Sequence, residues 1–252
     1  MIIPQWPAPK NVHALATDRE LSSDLGISLP PFTSLNLGDH VGDVPAHVDS
    51  NRQQLLSQLG QCDDIRWLQQ IHGIECADAS LISNGAKADA SFTQKNNLAC
   101  AVMTADCLPV LLCDLKGRQV AAAHAGWRGL AEGVLTQILS KFLDNDIPAD
   151  QVIAWLGPAI SQSAFEVGTE VQQAFLHNDK GDPWADESCF SAVAGDRLYA
   201  NLYQLARLQL ESLGISGVYG GDESWCTYSS ERFFSYRRGS ITGRQASLIW
   251  LG

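Results

Sequence analysis

The chain has 252 residues, 45 % of them hydrophobic and 18 % charged, and a formal net charge of −11. This is globular composition, on a chain long enough to bury a full core without disulfide staples. The acidic balance excludes nucleic acid or an anionic membrane held through a general basic surface, but not an anionic small molecule held by a few placed arginines.

The opening MIIPQWPAPK lacks a charged start followed by a long apolar stretch, and no apolar run reaches membrane-span length. A cytoplasmic protein is therefore expected, with no membrane partner. Seven cysteines, scattered without small-domain disulfide spacing, read as reduced thiols. No repeat, low-complexity tract or Gly/Ser linker divides the chain, so residues 1–252 read as one domain.

Taken in order, Ser34 to Gly42 (SLNLGDHVG) suggests a short strand and a glycine-rich turn. A helix should follow, with Asp43 as cap, Pro45 in its first turn, and Val48, Leu55, Leu56 and Leu59 as its apolar stripe. Residues 65 to 70 read as a strand stopping at Ile71-His72-Gly73. Three apolar runs come next: 98–103 (LACAVM), 108–113 (LPVLLC) and 120–123 (VAAA). Runs this apolar predict strands covered on both faces. One helix is expected over 130–143, packing through Leu135, Ile138, Leu139 and Phe142. Further on, 152–156 reads as a strand, 169–177 as a helix, and 197–213 as a helix stopped by Gly214. Strands are expected over 215–219, 233–237 and 245–251. The sum is an α/β (α+β) fold, a single domain with a large mixed, mostly buried β-sheet flanked by helices.

Two histidines and a cysteine stand where these strands end. His72 follows one strand, Cys107 lies in the break between two others, and His124 closes a third ahead of Ala125-Gly126-Trp127-Arg128-Gly129. Loops at strand ends sit on a rigid frame, so binding groups converge there. Imidazole and thiolate are preferred zinc donors, and three protein ligands leave a fourth position open. Such a site can lower the pKa of bound water to about 7. The gaps of 35 and 17 positions match no short zinc motif, and a lone His or Cys in an apolar strand is more often a core residue.

The local sequences go further. QIHG (Gln70–Gly73), TADCLPVLL (Thr104–Leu112), HAGWRG (His124–Gly129) and FFSYRR (Phe233–Arg238) together resemble the laccase-domain family. That family is also described as multicopper polyphenol oxidases and as zinc-dependent purine nucleoside phosphorylases. SLNLGDHVGD, NR at 51–52, GPAI, FEVG and TGR extend the resemblance over nearly the whole chain. It implies that His72, Cys107 and His124 are the metal ligands and catalytic centre. It also implies phosphorolysis of adenosine, inosine and methylthioadenosine, with deamination of adenosine.

Phosphorolysis needs donors for phosphate, which the bidentate guanidinium supplies; the candidates are Arg52, Arg128, Arg237 and Arg238. Arg128 lies beside a glycine-flanked helix start, whose free N–H groups favour anions. In a strand, adjacent Arg237 and Arg238 would face opposite ways, leaving one for the pocket. Asn36 and Gln70 are amide candidates for ribose or base contacts. Trp127 is read as a core residue. Deamination needs a proton carrier, and no His-x-Glu zinc-deaminase motif is present, so Asp106 is the candidate.

Alternatives remain. A copper polyphenol oxidase would need clustered histidine pairs, and the six histidines form no His-x-His pair. Cys107 and His124 without metal would suit a cysteine hydrolase. A peptidoglycan-precursor editing role or a non-enzymatic zinc-binding role would use the same ligands. Oligomeric state is not encoded in any pattern here.

Overall fold

A computed structural model describes residues 1–20, 26–176, 185–193 and 195–252. In chain order the strands are β1 (Val12–Ala16), β2 (Asp64–Arg66), β3 (Leu68–Gln69), β4 (Cys76–Asp78), β5 (Ala86–Lys87), β6 (Ala90–Thr93), β7 (Leu98–Thr104) and β8 (Leu108–Asp114). They continue with β9 (Val120–Ala125), β10 (Val152–Leu156), β11 (Glu166–Gly168), β12 (Phe190–Ala192), β13 (Arg197–Ala200), β14 (Gly217–Gly220) and β15 (Gln245–Leu251). The α-helices are α1 (Pro45–Gln58), α2 (Trp127–Glu132), α3 (Val134–Leu143), α4 (Thr169–Leu176) and α5 (Leu202–Ser212). This is the mixed α/β fold the sequence implies. None of these helices is long and apolar enough to cross a membrane.

Most of the β structure is divided between two mixed sheets. One has the order β1-β15-β7-β2, the other β14-β10-β8-β9-β6-β4. Alternate residues of a strand face opposite ways, and here both directions are apolar. Leu98, Cys100 and Val102 of β7 meet Leu111 and Cys113 of β8 and Trp155 of β10, forming the core between the sheets. The other face of β7, Ala99, Ala101 and Met103, packs with Leu55 of α1. The other face of β8, Leu108, Val110 and Leu112, packs with Leu135, Ile138 and Phe142 of α3. The continuous apolar runs of β7, β8, β9 and β15 are thus a consequence of a layered fold.

Several expected elements differ. The helix over 130–143 is two, because Gly133 adopts φ 99° between α2 and α3. Residues 197–200 form β13, paired with β11 and β12; α5 begins only at Leu202, capped by Asn201 Oδ1 accepting from the Gln204 amide at 3.0 Å. Residues 34–42 form no strand, although Leu35 and Leu37 are fully buried. The 65–70 segment breaks at Trp67, so β2 joins β7 while β3 joins β5. Residues 233–237 form no strand, and Tyr236 to Arg238 make a turn, which removes the strand argument for Arg237 and Arg238. The strand expected from 215 starts at Gly217. Val44, not Asp43, is the N-cap of α1. α4 ends at Leu176, and His177 lies outside the described residues.

Candidate metal centre

β7 and β8 belong to different sheets, so the link between them crosses from one to the other. Asp106, at φ 97°, makes the turn and Cys107 follows it. β9 runs two residues further than the apolar pattern suggests, so His124 sits inside the strand rather than after it, 3 % exposed. His72 occupies the turn after β3 with φ 60°. These three elements bring the donors together: one atom from each of His72, Cys107 and His124 lies within 4.8 Å of the others. Cys107 Sγ is 4.0 Å from His72 Nε2, and the two imidazoles cross at 77° with centroids 4.8 Å apart.

The HAGWRG segment has a steric reason. A Cβ on Gly126 would lie 3.2 Å from Cys107 Sγ and 3.1 Å from the His72 ring, so the backbone passes the donors closely enough that any side chain would press on them. A Cβ on Gly129 would lie 2.7 Å from the Gly73 carbonyl oxygen, so α2 packs directly on the His72 turn.

The electrostatics suit a cation. Burial pushes the Cys107 thiol up, but His124 and His72 overcome this and bring it down to about 6. Burial likewise opposes charging of His124, yet the Cys107 thiolate and the Asp89 carboxylate raise it to about 9. A thiolate sharing a proton with an imidazole is a position where a metal ion substitutes for that proton. Zinc bonds of about 2.0–2.3 Å would draw neighbouring donors in to roughly 3.5 Å, from the 4.0 Å between Cys107 Sγ and His72 Nε2. The donor set of His72, Cys107 and His124 therefore fits an ion such as zinc.

Above the donors opens a cavity of about 450 Å³. Gln70, Asp106, Trp127, Arg128 and Arg237 line it. Arg128 lies 4.3 Å over the Trp127 ring, and no hydrogen bond to its guanidinium occurs among the described residues. Trp127 is only partly buried, so it packs on the core and also faces the cavity. The Arg237 guanidinium donates to the Glu166 carbonyl at 2.9 Å. Gln70 lines the wall with its amide already spent: Nε2 donates to Met103 O at 2.8 Å and Oε1 accepts from Met103 N at 2.7 Å.

Three expected contacts lie elsewhere. Asn36 is fully buried, its Oδ1 accepting from the Gly38 and Arg244 amides and its Nδ2 donating to Asp43 and Gly38. Arg52 donates to the Leu37 carbonyl and lies 4.5 Å over Trp67, and it does not line the cavity. Arg238 turns inward on the carbonyls of Thr227, Tyr228, Ser230 and Phe233. One arginine of the adjacent pair does face the cavity, through a turn rather than a strand.

Sequence reasoning missed four residues. Arg244, His40 and Tyr236 line the cavity. Arg244 is part-buried; burial lowers its pKa, while Cys107 and Asp106 counter that effect. The fourth, Asp89, is fully buried, and its Oδ1 lies 2.8 Å from His124 Nδ1. Metal-binding histidines usually give their second N–H to a carboxylate, a signal that would have prompted a search for such an aspartate.

The family of multi-copper polyphenol oxidoreductase laccases matches residues 15–252. The chain belongs to that family. Purine nucleoside phosphorylase YfiH of Escherichia coli strain K12 is 48 % identical over 253 residues, covering 100 % of this chain and 98 % of the relative. The purine nucleoside phosphorylase of Haemophilus influenzae is 43 % identical, covering 99 % of this chain and 98 % of the relative. A crystal structure of a Neisseria meningitidis protein superposes with a TM-score of 0.90 at 46 % identity, over 99 % of this chain and 98 % of that one. YlmD from Geobacillus stearothermophilus gives 0.85 at 26 % identity, over 96 % and 92 %.

Proposed function

We propose that this family member, acting as one catalytic domain over residues 1–252 in the cytoplasm, is a zinc-dependent purine nucleoside phosphorylase. Its substrates are adenosine, inosine and methylthioadenosine. The observation that carries the reading is a His-Cys-His donor set opening into a cavity bordered by Arg128, Arg237 and Arg244. The names of the bacterial relatives support it. So does the contrast between three cavity arginines and an overall charge of −11, a local positive site that suits phosphate.

In phosphorolysis a phosphate oxygen bonds to the ribose C1′ while the bond from C1′ to the purine nitrogen breaks. The base leaves with the electron pair and takes up a proton. A guanidinium has five N–H donors, and the carbonyl contacts of Arg237 and Arg244 use only part of that capacity. The remaining donors hold phosphate in a fixed orientation. Phe165 and Tyr236 give the wall the flat apolar surface a purine stacks on. Bound at His72, Cys107 and His124, zinc would supply Lewis acidity beside the reacting atoms.

Hydrolytic deamination of adenosine is the second reading, favoured by a ligand set of three that leaves a coordination position open. Asp106 fits its proton-carrier role poorly, since Thr227 Oγ1 and the Arg237 amide donate to its two oxygens. A multicopper oxidase is disfavoured, because His72, Cys107 and His124 are the one such donor group among the described residues. A cysteine hydrolase needs no His72 and would survive a chelator.

The test incubates zinc-analysed protein with adenosine, with and without phosphate. Adenine and ribose-1-phosphate that form only with phosphate are expected; inosine in both samples reports deamination. Base release independent of phosphate, or activity that persists after complete zinc removal, overturns the proposal.

A further inference from the structure

We infer that Asp89 is the positioning residue of the metal centre, a single buried carboxylate that orients both histidine ligands. This rests on the zinc reading above. Asp89 precedes β6 and is 0 % exposed. Its Oδ2 accepts from the Ile71 and Gly73 amides at 3.1 and 2.7 Å, and its Oδ1 from the His72 amide at 2.9 Å. Three successive N–H groups converging on one anion form a nest, the backbone arrangement that a left-handed residue creates. That residue is His72, at φ 60°. A histidine in this conformation carries strain, and the carboxylate filling the nest holds it there.

The same side chain reaches the second ligand. Asp89 Oδ1 is 2.8 Å from His124 Nδ1, and the Asp89 carbonyl accepts from the His124 amide at 2.7 Å. Both Asp89 oxygens already accept from backbone amides, so the carboxylate is the acceptor in this contact too; His124 then carries its proton on Nδ1 and presents Nε2 on the side of Cys107 and His72. One residue thus sets the backbone of one ligand and the tautomer of the other. Its partners lie 16 to 35 positions away in the chain, joined only by the fold.

The test measures zinc affinity by chelator competition, and the visible spectrum of the cobalt-substituted protein, for wild type, Asp89→Asn and Cys107→Ala. The amide cannot accept from both sides as the carboxylate does. Asp89→Asn should weaken zinc binding by about 10- to 100-fold, the usual cost of losing such a partner. Its cobalt spectrum should shift, since a ligand is displaced. An Asp89→Asn protein that binds zinc as wild type does, with a superposable cobalt spectrum, overturns the Asp89 role alone. A wild type that takes up neither metal, or a Cys107→Ala variant that takes up both normally, overturns the zinc reading and this inference with it. Should Asp89→Asn fail to fold, imidazole ¹⁵N spectra of the zinc-loaded wild type decide: a proton on His124 Nδ1 is expected, and a bare Nδ1 bound to metal rules the inference out.

Discussion

The Arg237 amide donates to Asp106 Oδ2 at 2.7 Å, tying the turn beside Cys107 to a wall of the cavity 131 positions away in sequence. Thr227 Oγ1 donates to the other carboxylate oxygen at 2.6 Å. Asp106 therefore works as a clamp. Asn at this position can accept from Arg237 and donate to Thr227, and it tolerates positive φ. Asp106→Asn should keep turnover within about 3-fold, whereas Asp106→Ala should lose roughly 10- to 100-fold as the wall shifts. Steady-state kinetics on both variants check this; an Asn variant as inactive as the Ala variant would indicate a proton-transfer role.

Arg237 and Arg238 should separate cleanly. Arg237→Ala and Arg244→Ala remove cavity donors, so the KM for phosphate should rise about 10-fold or more, as for loss of a charged hydrogen bond. Arg238→Ala instead leaves four backbone carbonyls without their donor. It should cost about 2 kcal/mol and several degrees of Tm, with phosphate KM unchanged. Phosphate titrations beside thermal melts test the contrast, which fails if Arg238→Ala raises KM as Arg237→Ala does.

Gly126 has φ −62° and ψ 153°, a conformation alanine adopts freely. The added methyl would meet Cys107 Sγ at 3.2 Å. Overpacking of this kind costs about 1–3 kcal/mol, here spent at the donors, so Gly126→Ala should weaken zinc binding roughly 10- to 100-fold. Chelator competition measures it, and wild-type affinity would mean the donors have room to spare.

The β8–β9 turn supplies a pH test. Burial pushes Asp114 up, but Arg118 and the amides of Gln119, Arg118 and Lys116 hold it below the usual carboxylate range. Its folded-state pKa is depressed, so its stabilisation is present above the unfolded value of about 3.9 and is lost as pH falls through the folded value. Asp114→Asn should be less stable at neutral pH and lose less on acidification. Urea midpoints from about pH 6 down to 2 would show it; parallel curves for the two proteins would sink the idea.

The strands with two buried faces were legible because apolar continuity is a direct result of layered packing. Gly133 and Arg197 to Ala200 were misread because a helical stripe of leucines says nothing of a positive φ or of a strand pairing in another sheet. The three candidate metal donors could be picked out by chemistry, yet only their local segments made them a set. Asp89 carries no local mark in KADASF, and its partners come together through tertiary structure alone. Arg244 was hidden for a similar reason: its backbone amide is anchored by Asn36, 208 positions earlier.

Metal analysis of the purified wild type beside His72→Ala, Cys107→Ala and His124→Ala tests the zinc centre most directly. A single zinc per chain is expected in the wild type, lost in each variant while cooperative unfolding persists. Full zinc retained by Cys107→Ala, or copper in its place in the wild type, would contradict it.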